Sequence, residues 1–327
     1  MPITRTDRGL VTVFGGSGFV GRHVVRALLK RGWRVRAAVR RPDLAGHLQP
    51  LGMVGWVQPV QANLRYRASV DRAVVGADAV VNLVGILSET SRQSFDAVQD
   101  FGARAVAEAA RGAGIDRIVH GSAIGADPDS PSKYARTKYA GEQAVRETLP
   151  DSVVFRPSLL FGPEDDFFNR FAAMARMLPF LPVFGGGTTR FQPVFVGDYA
   201  HAIADAVDGA ASPGATYEIG GPEIATYREL MELILEETGR KRPIVSLPFR
   251  LGEASAHVFQ LLPKPLVTVD QMRQLRIDNV VSEAAKADGR TLAAFGVTPT
   301  ALAAILPEYL YRFRRTGQFS GPVRGNP

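Results

Sequence analysis

The 327-residue chain contains no cysteine. Disulfides, thiolate metal sites and cysteine nucleophiles are therefore excluded. Histidine is scarce. Its five copies, at positions 23, 47, 120, 201 and 257, lack metal-ligand spacing and read as surface or packing residues. No stretch approaches the ~20 consecutive apolar residues of a membrane span. An apolar strand pattern begins at about Leu10, so no targeting segment is expected ahead of the fold. Lysine is rare as well: 33 of the 39 cationic side chains are Arg, and the formal charge is +7. Such a balance suits an anionic partner (a nucleotide, a lipid headgroup or an acidic protein face) or reflects an Arg-rich composition alone. No nucleic-acid recognition module is visible, and nucleic acid is not an expected partner.

What is present is a rhythm. Short apolar runs at Leu10–Phe14, Arg34–Val39, 55–60, 79–84, 117–120 and 153–156 read as strands. Helical patterns at 20–31, 68–75, 94–112 and 132–148 lie between them. That alternation predicts βαβ units, and right-handed crossovers then give a Rossmann-type, doubly wound parallel sheet of the α/β class. After Pro157 the rhythm breaks on Pro, Gly and aromatic residues, and later helices are expected at 227–238, 249–261 and 300–314. The expected organisation is a dinucleotide-binding domain over 1–157, a smaller mixed C-terminal lobe over 158–316 closing over the cofactor cleft, and a flexible Gly/Pro-rich tail over 317–327.

The first strand runs directly into Gly15-Gly16-Ser17-Gly18-Phe19-Val20-Gly21, which opens the first helix. Glycines at 15, 18 and 21 permit a tight turn and a close approach of backbone to a pyrophosphate. The helix N-terminal amides around Ser17, Phe19 and Val20 then face the phosphates. This placement at the first βα junction points to dinucleotide binding. The second strand ends Val39-Arg40-Arg41-Pro42, with Arg40 19 residues after Gly21, where NAD-preferring folds carry an acid. Guanidinium groups suit a 2′-phosphate, so Arg40 and Arg41 favour NADP(H). Two arginines at a strand end can equally be solvated. Asn63 and Leu64 after the third strand, and Val84 and Gly85 after the fourth, lie where loops flank the adenine and the pyrophosphate.

Tyr134-Ala135-Arg136-Thr137-Lys138 places a phenol and an ammonium at i and i+4 on one helical face. The ammonium stabilises the phenolate, making Tyr134 a candidate general acid/base, with Lys138 also reaching the nicotinamide ribose. Ser122, just past the fifth strand, is a candidate hydrogen-bond partner for a substrate carbonyl. The same Tyr134 and Lys138 can hold a cofactor ribose without turnover.

These residues, together with Arg156-Pro157-Ser158, resemble the extended, atypical branch of the short-chain dehydrogenase/reductases. That resemblance implies that Pro157 and Ser158 contact the nicotinamide end. A narrower resemblance covers nearly the whole chain. Residues 156–171 (RPSLLFGPEDDFFNRF), 187–196 (GTTRFQPVFV), 278–281 (DNVV) and 309–314 (YLYRFR) look like the NADPH-binding accessory subunit family of respiratory complex I. It implies a tightly held NADPH and a stabilising or assembly role beside core subunits at the junction of the peripheral and membrane arms. It also implies a peripheral position on the cytoplasmic face of a bacterial inner membrane, or the matrix side for a mature mitochondrial form. Two alternatives stand beside it: a soluble NADP-dependent reductase or epimerase, and a sensor of the NADPH/NADP+ ratio.

Among the C-terminal signals, Glu164-Asp165-Asp166 reads as a helix N-terminal cap, and Asp198 as a cap preceding an apolar helical run. Arg190 suits either an anionic ligand or an ion pair. The alternation of aromatic and basic residues from Tyr309 to Arg315 suits an anionic lipid contact, a docking helix or an ordinary amphipathic surface.

Overall fold

A computed structural model describes residues 8–90, 93–259 and 268–315; the expected tail over 317–327 lies outside them. The chain begins β1 (Leu10–Phe14), α1 (Phe19–Lys30), β2 (Arg34–Val39), β3 (Val57–Gln61), α2 (Arg67–Val74), β4 (Ala79–Asn82), α3 (Phe101–Gly112), β5 (Ile118–Gly121), α4 (Lys133–Thr148) and β6 (Val153–Pro157). Then come β7 (Leu160–Phe161), α5 (Phe167–Met177), β8 (Leu181–Phe184), β9 (Arg190–Phe191), β10 (Val194–Phe195), α6 (Val196–Val207) and β11 (Thr216–Ile219). The chain continues through β12 (Ala225–Thr226), α7 (Tyr227–Thr238), β13 (Ile244–Leu247), α8 (Phe249–Phe259), α9 (Val269–Gln274), α10 (Glu283–Ala287) and α11 (Leu302–Leu310).

The main sheet is parallel throughout, in the order β11-β6-β5-β4-β1-β2-β3. The order reverses between β1 and β4, the switch point at which doubly wound sheets bind ligands beyond the strands' carboxyl ends. Burial on both faces accounts for the near-continuous apolar runs of the central strands. One face packs Phe14, Val80 and Ile118 against Val106 of α3 and Val145 of α4. On the side of α1, Arg31 pairs with Asp205 (2.5 Å) and Asp208 (2.9 Å) at the end of α6, and Trp33 Nε1 donates to Asp208 (2.8 Å).

The chain forms two compact units, each discontinuous. The first takes Met1–Pro157, Val196–Ile219 and Ser282–Thr298; the second takes Ser158–Phe195, Gly220–Val281 and Pro299–Pro327. The second unit has its own core, in which Phe161, Phe168, Leu181, Leu230, Ile234 and Leu306 are buried. Pro157 thus marks the first of several crossings between units. Among the described residues, no helix is long and apolar enough to cross a membrane.

Local differences from the expected elements have identifiable causes. The helix expected over 94–112 begins with a π-helical turn, Asp96–Asp100, before α3. Gln99 explains the break. Its Nε2 donates to Ile86 O (2.9 Å) and its Oε1 accepts from Thr137 (2.7 Å). Its carbonyl also approaches Gly141 so closely that a Cβ there would lie 2.2 Å away. The strand expected to reach Val84 stops at Asn82, whose Oδ1 accepts from Val84 N (3.2 Å) and turns the chain out of the ladder. Asp198 does not cap α6 from outside: the helix starts at Val196, so Asp198 lies within its first turn. The α11 helix ends at Leu310 and tightens into a 3₁₀ turn, Tyr311–Phe313.

Candidate functional site

The phosphate loop is built by exclusion of side chains. Gly15 holds φ +80°, and its N–H donates to Ala38 O on β2 (3.0 Å). A Cβ at Gly21 would lie 2.2 Å from Gly15 O and 2.7 Å from two Gly16 backbone atoms. The first turn of α1 can therefore fold onto the loop only if residue 21 is glycine. Gly18 is the N-cap, no side chain caps the helix, and its first turn holds no acid. The amides of Phe19 and Val20 thus stand at the positive end of an uncapped helix, a setting that favours an anion.

Arg22 was not foreseen as part of this loop. It sits in the first turn of α1 and folds back, donating to the carbonyls of Gly18 (3.3 Å) and Ser17 (3.4 Å). A cation at a helix N-terminus opposes the dipole unless an anion shares the place. That mismatch was the signal available in the sequence.

At the end of β2 the two arginines differ. Arg41 grips Asp43 with a fork, Nε to Oδ1 at 2.9 Å and Nη2 to Oδ2 at 2.7 Å. Arg40 is exposed and has no hydrogen bond or ion pair among the described residues. Asn63 is occupied in its own turn: its backbone N–H donates to the Ser69 hydroxyl, its C=O accepts from that hydroxyl, and its Oδ1 accepts from Arg65 N (3.2 Å). Leu64 is buried against α3, where a Cβ on Gly102 would meet its Cδ1. Both shape the loop.

Beyond β4 and β5 the candidate catalytic residues converge. Lys138 is buried, and its Nζ donates to Gly121 O at the end of β5 (3.0 Å). A Cβ on Gly85 would stand 3.2 Å from that Nζ, so the β4 loop and α4 meet at the ammonium. Burial pushes Lys138 down to about 8, against the pull of Glu142 one turn further along α4. His120 lies in the same buried region, 3.3 Å from Asn82 Nδ2 through its Nδ1. Burial and the Lys138 charge push it down to about 3, so its imidazole is neutral at neutral pH. Tyr134, half-buried, stacks edge-on against Phe95 at 5.8 Å. Ser122 is buried and its Oγ has no hydrogen-bond partner. A buried hydroxyl without a partner costs free energy unless a ligand meets it.

Two further features of this region were missed. Tyr199 on α6 is fully buried; burial, then the Tyr134 phenol, holds it above the usual phenol range. A Cβ on Gly121 would lie 3.4 Å from its Oη. Glu142 is buried on the face of α4 that carries Lys138 and forks onto Arg156 of β6 (2.7 and 2.9 Å). An acid at i+4 from Lys138 was the available sign.

Pro157 ends β6 and its carbonyl accepts from Ile124 N (3.0 Å). Ser158, the first residue of the second unit, is committed within that unit: its Oγ lies 2.7 Å from both Asn279 O and Asn279 Oδ1 and accepts from Gln192 N (3.2 Å). Arg190 resolves toward an ion pair, its Nη2 2.7 Å from Asp278. Of the Glu164–Asp165–Asp166 run, Asp165 supplies the cap of α5, accepting from Phe168 N (2.6 Å) and Asn169 N (3.4 Å). Asp166 pairs with Arg170 instead.

A nucleotide fits these residues. The glycine cradle admits a pyrophosphate, the buried Ser122 Oγ lacks a partner, and Lys138 has donors beyond the one given to Gly121. Comparison with known proteins agrees. Residues 11–220 match the NAD dependent epimerase/dehydratase family. The chain is 35% identical to NADH dehydrogenase [ubiquinone] 1 alpha subcomplex subunit 9 of Arabidopsis thaliana, over 94% of this chain and 79% of that protein. It is 37% identical to a ceramide reductase of Caulobacter vibrioides, over 59% of each chain. The fold is that of the dTDP-glucose 4,6-dehydratase DesIV of Streptomyces venezuelae, solved with NAD, at TM-score 0.70 and 20% identity over 94% of this chain and 97% of that one.

Proposed function

We propose that this chain, which belongs to the NAD dependent epimerase/dehydratase family and carries its NAD(P)-binding Rossmann fold, serves as an NADPH-binding accessory subunit of respiratory complex I, structural rather than catalytic. The observation that carries this reading is the 35% identity with the Arabidopsis subunit across 94% of the chain. A chain of this kind sits against core subunits at the junction of the peripheral and membrane arms. It lies on the cytoplasmic face of a bacterial inner membrane or the matrix side of a mitochondrial one, in contact with anionic lipid. NADPH is preferred to NADH because Arg40 stands open at the end of β2, where a 2′-phosphate would give it a charge-assisted partner.

In this role the chain's own residues bind and orient. The backbone of Gly15 to Gly21 holds the pyrophosphate, with Ser17, Phe19 and Val20 supplying N–H groups. Asn63, Leu64, Val84 and Gly85 wall the adenine and pyrophosphate, and Lys138 and Tyr134 clamp the nicotinamide ribose. The test is a pull-down of the tagged chain from gently solubilised membranes of its own host, with extraction and identification of bound nucleotide. Core complex I subunits in near-stoichiometric amount, together with NADPH, are expected. A chain that comes down alone overturns the subunit reading.

A second reading, an NADP-dependent reductase or epimerase, is favoured by the lowered pKa of Lys138 beside Tyr134 and by the unpartnered Ser122 Oγ. NADPH when bound would supply a hydride, with Ser122 holding a carbonyl oxygen and Tyr134 delivering the proton. The resemblance to a ceramide reductase supports it. Tyr134→Phe would then abolish a measurable turnover while leaving nucleotide binding nearly intact.

A further inference from the structure

Three segments of the second unit bring cations to one place. The end of α5 supplies Arg176, the turn between α7 and β13 supplies Arg240, Lys241 and Arg242, and the segment after α11 supplies Arg314 and Arg315. Hydrogen bonds to backbone carbonyls lock the three together. Leu181 N donates to Pro243 O (3.0 Å), Arg242 Nε donates to Ala175 O (3.2 Å), and Arg240 donates twice to Phe313 O (3.0 and 2.8 Å). The nearby acid Glu237 is taken by Arg314, 3.5 Å away. Arg176, Lys241 and Arg315 are exposed and form no ion pair among the described residues. The crowding is felt: burial, then Arg242, Arg176 and Arg315, hold the Arg240 guanidinium below its ordinary value.

Apolar side chains stand among these charges. Met177, next to Arg176, is 71% exposed, Phe180 is 38% exposed, and Val245 of β13, paired in register with Pro182, is 37% exposed. A purely ionic contact would be met by the cations alone and would leave Met177 and Phe180 in water. A membrane surface meets both, phosphates accepting from the cations while Met177 and Phe180 enter the headgroup boundary. We propose that this face, formed by the end of α5, the α7–β13 turn and the segment after α11, docks the chain on an anionic phospholipid surface. It deepens the reading of a membrane-associated subunit by naming the surface that meets the lipid.

The test is co-flotation of the purified full chain with vesicles of phosphatidylcholine alone and of phosphatidylcholine with phosphatidylglycerol. Binding is expected only to the anionic vesicles, and it weakens as salt is raised. Each cation near such a surface contributes ~1 kcal/mol, so Arg176→Gln/Lys241→Gln/Arg315→Gln together should weaken binding about a hundredfold. Met177→Ser/Phe180→Ser should weaken it about tenfold. Thermal melting of each variant separates lost binding from lost fold, since all five side chains are exposed. Equal binding to neutral vesicles, no binding to either kind, or binding unchanged by the charge substitutions overturns the proposal. So does binding that falls with the charge substitutions and ignores the apolar ones, the pattern of a purely ionic protein contact. Failure here with core subunits still present in the pull-down leaves the subunit reading standing.

Discussion

Tyr309 of α11 donates its hydroxyl to Oδ2 of Asp165 across 2.5 Å, tying α11 to the N-terminus of α5. Both are largely buried, and burial pushes Asp165 up to about 6 even though Tyr309 and three backbone amides pull the other way. The folded state therefore holds the proton more tightly than the unfolded chain, whose value is near 3.8. The associated stability is full below pH 4 and is lost as pH rises through 6. Relative to Asp165→Asn, which cannot titrate, the protein should lose about 3 kcal/mol between pH 4 and pH 7. Denaturant melts at the two pH values measure it; a constant gap between the two proteins would contradict this account.

Lys138 gives the opposite sign. Its folded-state value of about 8 lies below the ordinary 10.5. The unfolded chain binds the proton more tightly, so the nucleotide-free protein gains stability as pH rises from 8 to 10. Lys138→Met removes the cost of burying the ammonium and should raise the stability of the nucleotide-free protein at pH 7, by ~3 kcal/mol at most. The advantage should shrink to under ~1 kcal/mol by pH 10 and vanish only above the ordinary 10.5, and nucleotide affinity should fall at every pH. Paired thermal melts with and without NADPH read both effects.

The fork between Arg156 and Glu142 is unevenly buried, the carboxylate being 1% exposed and the guanidinium 22%. Removing the cation strands a buried charge, whereas removing the acid leaves a cation that can reach water and Glu218, 4.0 Å away. Arg156→Leu should cost ~3–5 kcal/mol. Glu142→Leu should cost less. Urea unfolding of both variants decides it, and the reverse order would contradict the role of burial.

Three substitutions probe the nucleotide. Gly21→Val places atoms on Gly15 O and should leave the purified protein without bound nucleotide, measured by extraction and absorbance. Arg40→Ala should weaken NADPH binding ten- to a hundredfold with NADH binding unchanged, by titration calorimetry. Arg41→Ala should do less, because Asp43 already holds that fork.

The limits of β1 and β2 were legible to the residue, because β1 runs straight into the glycine loop and β2 lies between Gly32-Trp33 and Arg40-Arg41-Pro42. The α4 helix was legible from its apolar period, with Ser132 capping it through Ala135 N. The strand β11 was not. It has four residues, two of them polar, and it follows a Ser-Pro-Gly turn in a stretch where the strand-helix rhythm had ended. Its alternation of Thr216, Tyr217, Glu218 and Ile219 is nonetheless the pattern of a half-covered strand. In the candidate site, Tyr134, Lys138 and Ser122 were legible because spacing within one helix or one loop reports on shared position. Tyr199 and the commitment of Ser158 to Asn279 were not, because each depends on residues more than 60 positions away.

The sheet is completed late in synthesis. Its seventh strand and α6 come from residues 196–219, after the chain has made its first excursion into the second unit. Until Ile219 has left the ribosome, β6 presents an open edge, and Arg31 and Trp33 lack the carboxylates they bind. A fragment ending at Pro157, though it holds the whole phosphate loop, is therefore expected to fold less stably than the complete unit. A nascent chain halted there should be a substrate for chaperones that capture exposed strands, and one halted some tens of residues beyond Ile219 should be released from them.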